Sequence, residues 1–171
     1  SGGVANRIYQ ITTEFTTAQI FDLKFAQSAD VMYICHPSHE VTKLSRTGHT
    51  SWSLDEVDFL STGPFLDANT TTTTLTPSNA STGSRNITAS AITGINGGVG
   101  WLATDVGRVI SMNNGKATIT ARTSATVAVA TVTDAFDNTN AVTDWKLGSF
   151  SDTTGHPSCV SFFEQRLVFA A

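Results

Sequence analysis

Cys35-His36-Pro37-Ser38-His39 places a thiol and two imidazoles within five residues, and these are first-choice zinc ligands. A structural zinc site needs two separated ligand pairs, and the further donors His49, His156 and Cys159 repeat no pair spacing. The same cluster offers a Cys or Ser nucleophile beside a His base, yet no serine stands in a Gly-x-Ser-x-Gly elbow. Asp55, Glu56 and Asp58 are close enough to pair as glycosidase carboxylates, but the solvated edge of a β-turn accounts for them more simply. Gly97-Gly98-Val99-Gly100 and Gly107-Arg108 open no helical pattern, so neither reads as a phosphate-cradling loop. The expectation is therefore no catalytic residue, no metal and no cofactor. Trp52, Trp101 and Trp145 remain as aromatics that could stack on a sugar or line an interface, with burial in a core or domain junction as the simpler role. Asn69, Asn79 and Asn86 match glycosylation acceptor sequences, which arise by composition in so threonine-rich a chain.

Strands must position these residues. Threonine runs five in a row from Thr70 to Thr74, only 14% of residues are charged, and the strong helix formers are few. Side chains branched at Cβ fit a pleated sheet better than a helix. With 171 residues the chain can bury one real core or two small ones. A net charge of -4 and scattered Lys and Arg exclude a specific nucleic-acid groove, which needs clustered basic surface. No apolar stretch approaches the roughly 20 residues of a membrane span and no leader precedes the chain, so it reads as soluble. Ser1-Gly2-Gly3 reads as a cloning scar or a natural loop, and the apolar run Leu167 to Ala171, a strand cut short, reads as the end of an excised fragment. Cys35 and Cys159 read as two buried thiols, and their pairing depends on whether the fold brings their Cα atoms within about 7 Å.

The hydrophobic period divides the chain into three stretches. In the first, Arg7 to Thr12 reads as a strand and Thr16 to Leu23 as a helical turn capped by Thr16 or Thr17. Val31 to Cys35 and Val41 to Arg46 read as a hairpin around Pro37, Ser51 to Leu54 as a third strand, and Val57-Asp58-Phe59 completes the sheet. The second stretch, 67–145, alternates at Ile87 to Ala91 and at Asp105 to Met112, turns at Asn113-Asn114-Gly115, and continues in Lys116 to Arg122 with Ala117, Ile119 and Ala121 on one face. Thr126 to Val132 returns as its partner. Short strands at this spacing point to a small barrel or sandwich with small side chains inside. In the third stretch, Cys159 to Phe169 is an apolar segment that needs a partner sheet. The resulting organisation is all-β: a discontinuous sheet platform of residues 1–66 and 146–171 carrying an inserted small β-barrel of residues 67–145.

Phe25-Ala26-Gln27-Ser28-Ala29-Asp30-Val31-Met32-Tyr33-Ile34-Cys35-His36-Pro37, Lys43-Leu44-Ser45-Arg46-Thr47-Gly48-His49, and Pro157 to Ala170 resemble the tail hub or nozzle proteins of tailed bacteriophages, the tubular tail protein B group. The middle stretch is similar to a small β-barrel inserted in such proteins. The resemblance implies an internal piece of a longer virion chain, built on propeller-like blades and assembled in the bacterial cytoplasm as a ring around the DNA exit channel. It implies scaffolding without catalysis. The implied partners are further copies of the chain and neighbouring tail proteins, with a tail fibre or host-surface glycan as contacts of the barrel. Cys35 and Cys159 stand where an apolar or small residue is expected of that family, and a cytoplasmically assembled virion does not usually need a disulfide. The alternative reading, motivated by the three Trp and the Thr-rich loops, is a carbohydrate-binding adhesin module.

Overall fold

The computed structural model describes residues 7–57, 59 and 63–171; Ser1-Gly2-Gly3 and Asp58 lie outside the described residues. The described residues form twelve strands and three short 3₁₀ helices, and every strand pairing is antiparallel. The chain divides into two compact units, Ser1–Asp58 with Gly155–Ala171, and Phe59–Thr154.

The first unit opens without the strand expected at Arg7 to Thr12, because alternation alone makes no strand where no neighbour supplies a ladder. Gln19 rather than a threonine stands at the N-cap position of the turn Ile20–Asp22, without a side-chain capping bond; its Oε1 instead accepts the Thr16 N–H at 2.9 Å. A strand that alternation does not announce, β1 (Lys24–Ser28), then pairs with β2 (Val31–His36). The sheet continues as a meander through β3 (His39–Gly48) and β4 (Ser51–Glu56), so the Pro37 turn and hairpin stand where the sequence places them. Val57 lies beyond the last strand.

The second unit is one six-stranded sheet made of β5 (Leu75–Pro77), β6 (Gly83–Ala89), β7 (Val109–Met112), β8 (Gly115–Arg122), β9 (Val127–Asp134) and β10 (Trp145–Leu147), in the order β10-β7-β8-β9-β6-β5. The expectation of a small β-barrel is corrected here: the sheet is an open, strongly curled half-barrel. Both edge strands are three residues long, and Pro77 ends one of them without a backbone donor. Beyond these edges isolated bridges, Leu75 to Val142 and Phe65 to Gly148, replace a ladder. The inward faces of the sheet, among them Ile87, Ile110, Ile119 and Val132, close over Trp101 and Trp145 as one apolar core. Ala121, expected on that inner face, is exposed: a bulge between Ile119 and Ala121 shifts the register, and Thr120, Ala121 and Arg122 all face solvent beyond it.

The chain returns to the first unit as β11 (Cys159–Phe163) and β12 (Arg166–Ala170), a separate hairpin. What reads in sequence as one apolar run is folded back at Glu164 and Gln165, both at positive φ (45° and 62°). Tyr33 of β2 meets this hairpin edge-on, with ring centroids 6.4 Å from Phe162 and 6.5 Å from Phe169. The meander and hairpin do not stand in a radial, propeller-like arrangement, which corrects the blade-platform expectation.

The β7–β8 turn uses Asn113 and Asn114 at its centre (φ 46° and 58°), one residue earlier than an Asn-Gly pair, and Gly115 already faces Met112 across the ladder. Gly115 is required for a different reason: a Cβ there would lie 2.6 Å from the Asp134 carbonyl oxygen and 2.7 Å from both the Ala135 oxygen and Phe136 Cδ1. Gly115→Ala is therefore expected to lower stability by about 1–3 kcal/mol in urea titration, the usual cost of overpacking.

Candidate functional site

The zinc-like and triad-like residues of the first unit are placed by the β2–β3 turn. His36 is buried, and its Nδ1 accepts the Ser38 N–H at 3.1 Å, so Nε2 carries the proton of the neutral ring. His39 holds two partners that the sequence did not single out: Nδ1 lies 3.4 Å from a Glu14 carboxylate oxygen and Nε2 lies 3.1 Å from Gln19 Oε1. Both ring nitrogens of His39 are thus engaged away from any thiol or hydroxyl. His156, also buried, enters this neighbourhood through its backbone N–H, which donates to the Pro37 oxygen at 2.9 Å. His49 sits on the surface beside Arg46. No group of three or more His, Cys, Asp or Glu among the described residues could hold a metal ion.

Cys35 and Cys159 are both free thiols, and only Cys35 is buried. The expectation of two buried thiols fails at Cys159 because β11 belongs to a two-stranded hairpin with an exposed face. Burial, and secondarily the Cys159 thiol, push Cys35 up from 9.0 to about 11, so it is a neutral thiol and not a nucleophile near neutral pH. Asp55 and Glu56 are exposed on β4, with the third acid of that cluster, Asp58, outside the described residues. The side chain of Asn69 is consumed by its own loop, with its Nδ2 donating to the Thr71, Thr73 and Thr143 oxygens. Asn79 caps its turn by accepting from Ser81, and Asn86 is exposed on β6.

The three tryptophans are not brought together. Trp101 and Trp145 are 0% and 3% exposed in the half-barrel core, which leaves neither ring a face for stacking. Trp145 Nε1 donates to the Thr73 oxygen at 3.0 Å, whereas buried Trp101 Nε1 has no hydrogen-bond partner among the described residues. Trp52 is part-exposed on β4, with the Arg46 guanidinium 5.8 Å from its ring centroid and Arg46 also 3.0 Å from Asp30.

Two features lie outside the sequence reading. The first is a buried ionic network in the second unit. Asp105 and Arg108, 0% and 1% exposed, pair at 3.1 Å; Arg108 also donates through Nη1 to Asn96 Oδ1 (2.7 Å) and through Nε to the Gly148 oxygen (2.8 Å). Asp105 accepts in addition from Asn96 Nδ2 and the Leu102 N–H. This fully bonded carboxylate explains why the run beginning at Asp105 yields a strand only from Val109: its first residues form a 3₁₀ turn around Asp105. The signal available in the sequence was the Asp-x-x-Arg spacing next to Gly107.

The second feature is the apolar surface of the first unit. Among its described residues the buried apolar side chains are Cys35, Val41 and Pro157. Meanwhile Phe21 is 89% exposed, Phe163 65% and Phe25 64%, and Ile20, Phe162 and Val168 are exposed as well. Two of these, Phe25 and Phe163, lie on β1 and β11, elements that pack near each other.

No protein-family model matches the chain, and no curated protein matches it significantly.

Two outcomes follow from this geometry. Arg108→Met leaves Asp105 charged and unpaired in the core and is expected to destabilise the second unit by about 3–5 kcal/mol in chemical denaturation. The folded Cys35 thiol keeps its proton to about 11, whereas the unfolded one releases it near 9.0, so stability falls as pH rises between those values. Denaturation midpoints measured across that window should show this fall, and Cys35→Ala should remove its contribution.

Proposed function

We propose that the chain is a non-catalytic structural component of a bacteriophage tail, a hub or nozzle segment that assembles with copies of itself and with neighbouring tail proteins. The observation that carries this reading is the exposed aromatic surface of the first unit, with Phe21, Phe25 and Phe163 facing solvent over a minimal core. A unit with so little of its own to bury gains stability by covering that surface with a partner. The three stretches that resemble tail hub proteins support the reading further, because all of them fall in this same unit: Phe25 to Pro37 in β1 and β2, Lys43 to His49 in β3 and its turn, and Pro157 to Ala170 in β11 and β12. The reading rests on those strands and on their exposed face, without any radial arrangement of blades. Its location is the virion, after assembly in the bacterial cytoplasm.

Antibody raised against the 171-residue chain tests the assignment on purified virions by electron microscopy. Label at the tail is the expected result, and label confined to capsids or to free host protein contradicts it. The assembly surface has its own test in sedimentation equilibrium. The native chain should self-associate, and the double variant Phe25→Ser, Phe163→Ser should weaken association by about tenfold or more, since each large side chain buried at an interface contributes roughly 1.5–3 kcal/mol. A native chain that stays monomeric at every concentration removes the support that the exposed surface gives.

A further inference from the structure

A cleft of about 620 Å³ opens within the second unit, lined by the 66–71 loop, the 93–97 turn, Arg108, Trp145, Leu147 and the 153–154 turn. Its buried members, Arg108, Trp145 and Leu147, form the floor; Asp67, Thr70 and Thr93 are exposed and form the rim. The floor holds a half-used cation. Arg108 spends Nε on the Gly148 oxygen and both Nη1 hydrogens on Asn96 and Asp105, while Nη2 donates to no acceptor among the described residues. Arg108 is 1% exposed and is one of the residues that line the cleft.

The charges and free groups select a class of ligand. Asp105 at 3.1 Å already offsets Arg108, and Asp67 adds a negative charge at the rim, so the cleft offers no excess positive charge to hold an anion. Asp67, Thr70 and Thr93 make no side-chain hydrogen bond among the described residues, whereas Asn69 and Thr71 beside them are spent on one another. What remains is a pair of N–H donors, a carboxylate acceptor and two hydroxyls that both donate and accept, above an apolar floor of Trp145 and Leu147. A ligand rich in hydroxyls and without charge satisfies that set, and the volume lies within the range of small-molecule sites. We propose that this cleft binds a neutral carbohydrate, a mono- or disaccharide, with Arg108 Nη2 donating to a sugar oxygen and Asp67 accepting from a sugar hydroxyl. The site belongs to the second unit and does not depend on the assembly surface of the first.

Titration of the ¹⁵N-labelled 171-residue chain with the methyl glycosides of glucose, galactose and mannose, and in parallel with acetate and inorganic phosphate, tests the proposal by NMR. The expected result is saturable shifts at the Thr70, Thr93, Gly94 and Gly97 amides and at the Arg108 side chain with at least one glycoside by roughly 50 mM. Asp67→Asn should weaken that binding about tenfold, the effect of losing a charged acceptor, while leaving the rest of the spectrum unchanged. Thr93→Val should weaken it as well. Three results overturn the proposal: no glycoside moves these resonances, acetate or phosphate alone moves them, or both variants bind as tightly as the native chain.

Discussion

The second unit depends on one packing constraint: the inward side chains of a curled sheet must be small enough to bend around two indoles and large enough to leave no void. Ala89, Ala117, Ala128 and Ala130 supply the first property, and Ile87, Ile110, Ile119 and Val132 the second, all closing over Trp101 and Trp145. Threonine takes the outward positions, as at Thr88, Thr118 and Thr120, where Cβ branching favours strand geometry without requiring burial. The loops that wrap the open side are then tied to this core by polar contacts from buried groups. Trp145 Nε1 fastens the Thr-rich loop at Thr73, and Arg108 fastens the segment after β10 at Gly148. A sheet that closed on itself would need neither tie; this one ends in two three-residue edges and substitutes side-chain bonds for a ladder.

The first unit obeys the same period but divides its side chains differently. Its meander buries Cys35, Val41, Thr42 and His36 at one end and leaves aromatics in solvent elsewhere. The hairpin β11–β12 supplies part of a cover through the Tyr33, Phe162 and Phe169 rings. A two-stranded hairpin is marginal by itself in water, so its persistence is coupled to what lies against it. The chain thus combines a unit with a filled apolar core and a unit that leaves large aromatics in solvent.

Much of this was legible in residues whose local chemistry and tertiary setting agree. Val31 to Cys35 around the Pro37 turn, Thr126 to Val132, and the turn at Asn113 follow from period and turn type, and the tertiary contacts reinforce them. Where the two disagree, the sequence misleads in identifiable ways. Arg7 to Thr12 alternates but has no ladder to join; Ala121 continues an inward alternation that a bulge breaks off; and the apolar run from Cys159 hides a turn, because Glu164 and Gln165 lack the Gly or Asn that usually marks positive φ. Closure of a sheet is likewise invisible locally, since it depends on the lengths of strands far apart in sequence. The cleft was illegible for the same reason: Asp67, Thr93 and Arg108 come from three loops, and nothing in their spacing announces that one guanidinium nitrogen is left over.

Amide hydrogen exchange on the dilute, monomeric chain tests the unequal division of the core most directly. The account predicts that amides of β8 and β9 exchange at least about a hundredfold more slowly than those of β1, β11 and β12, and that protection in the latter rises with protein concentration. Equal protection of β11–β12 and β8–β9 in the monomer would show that the first unit is complete by itself, and the account would fail.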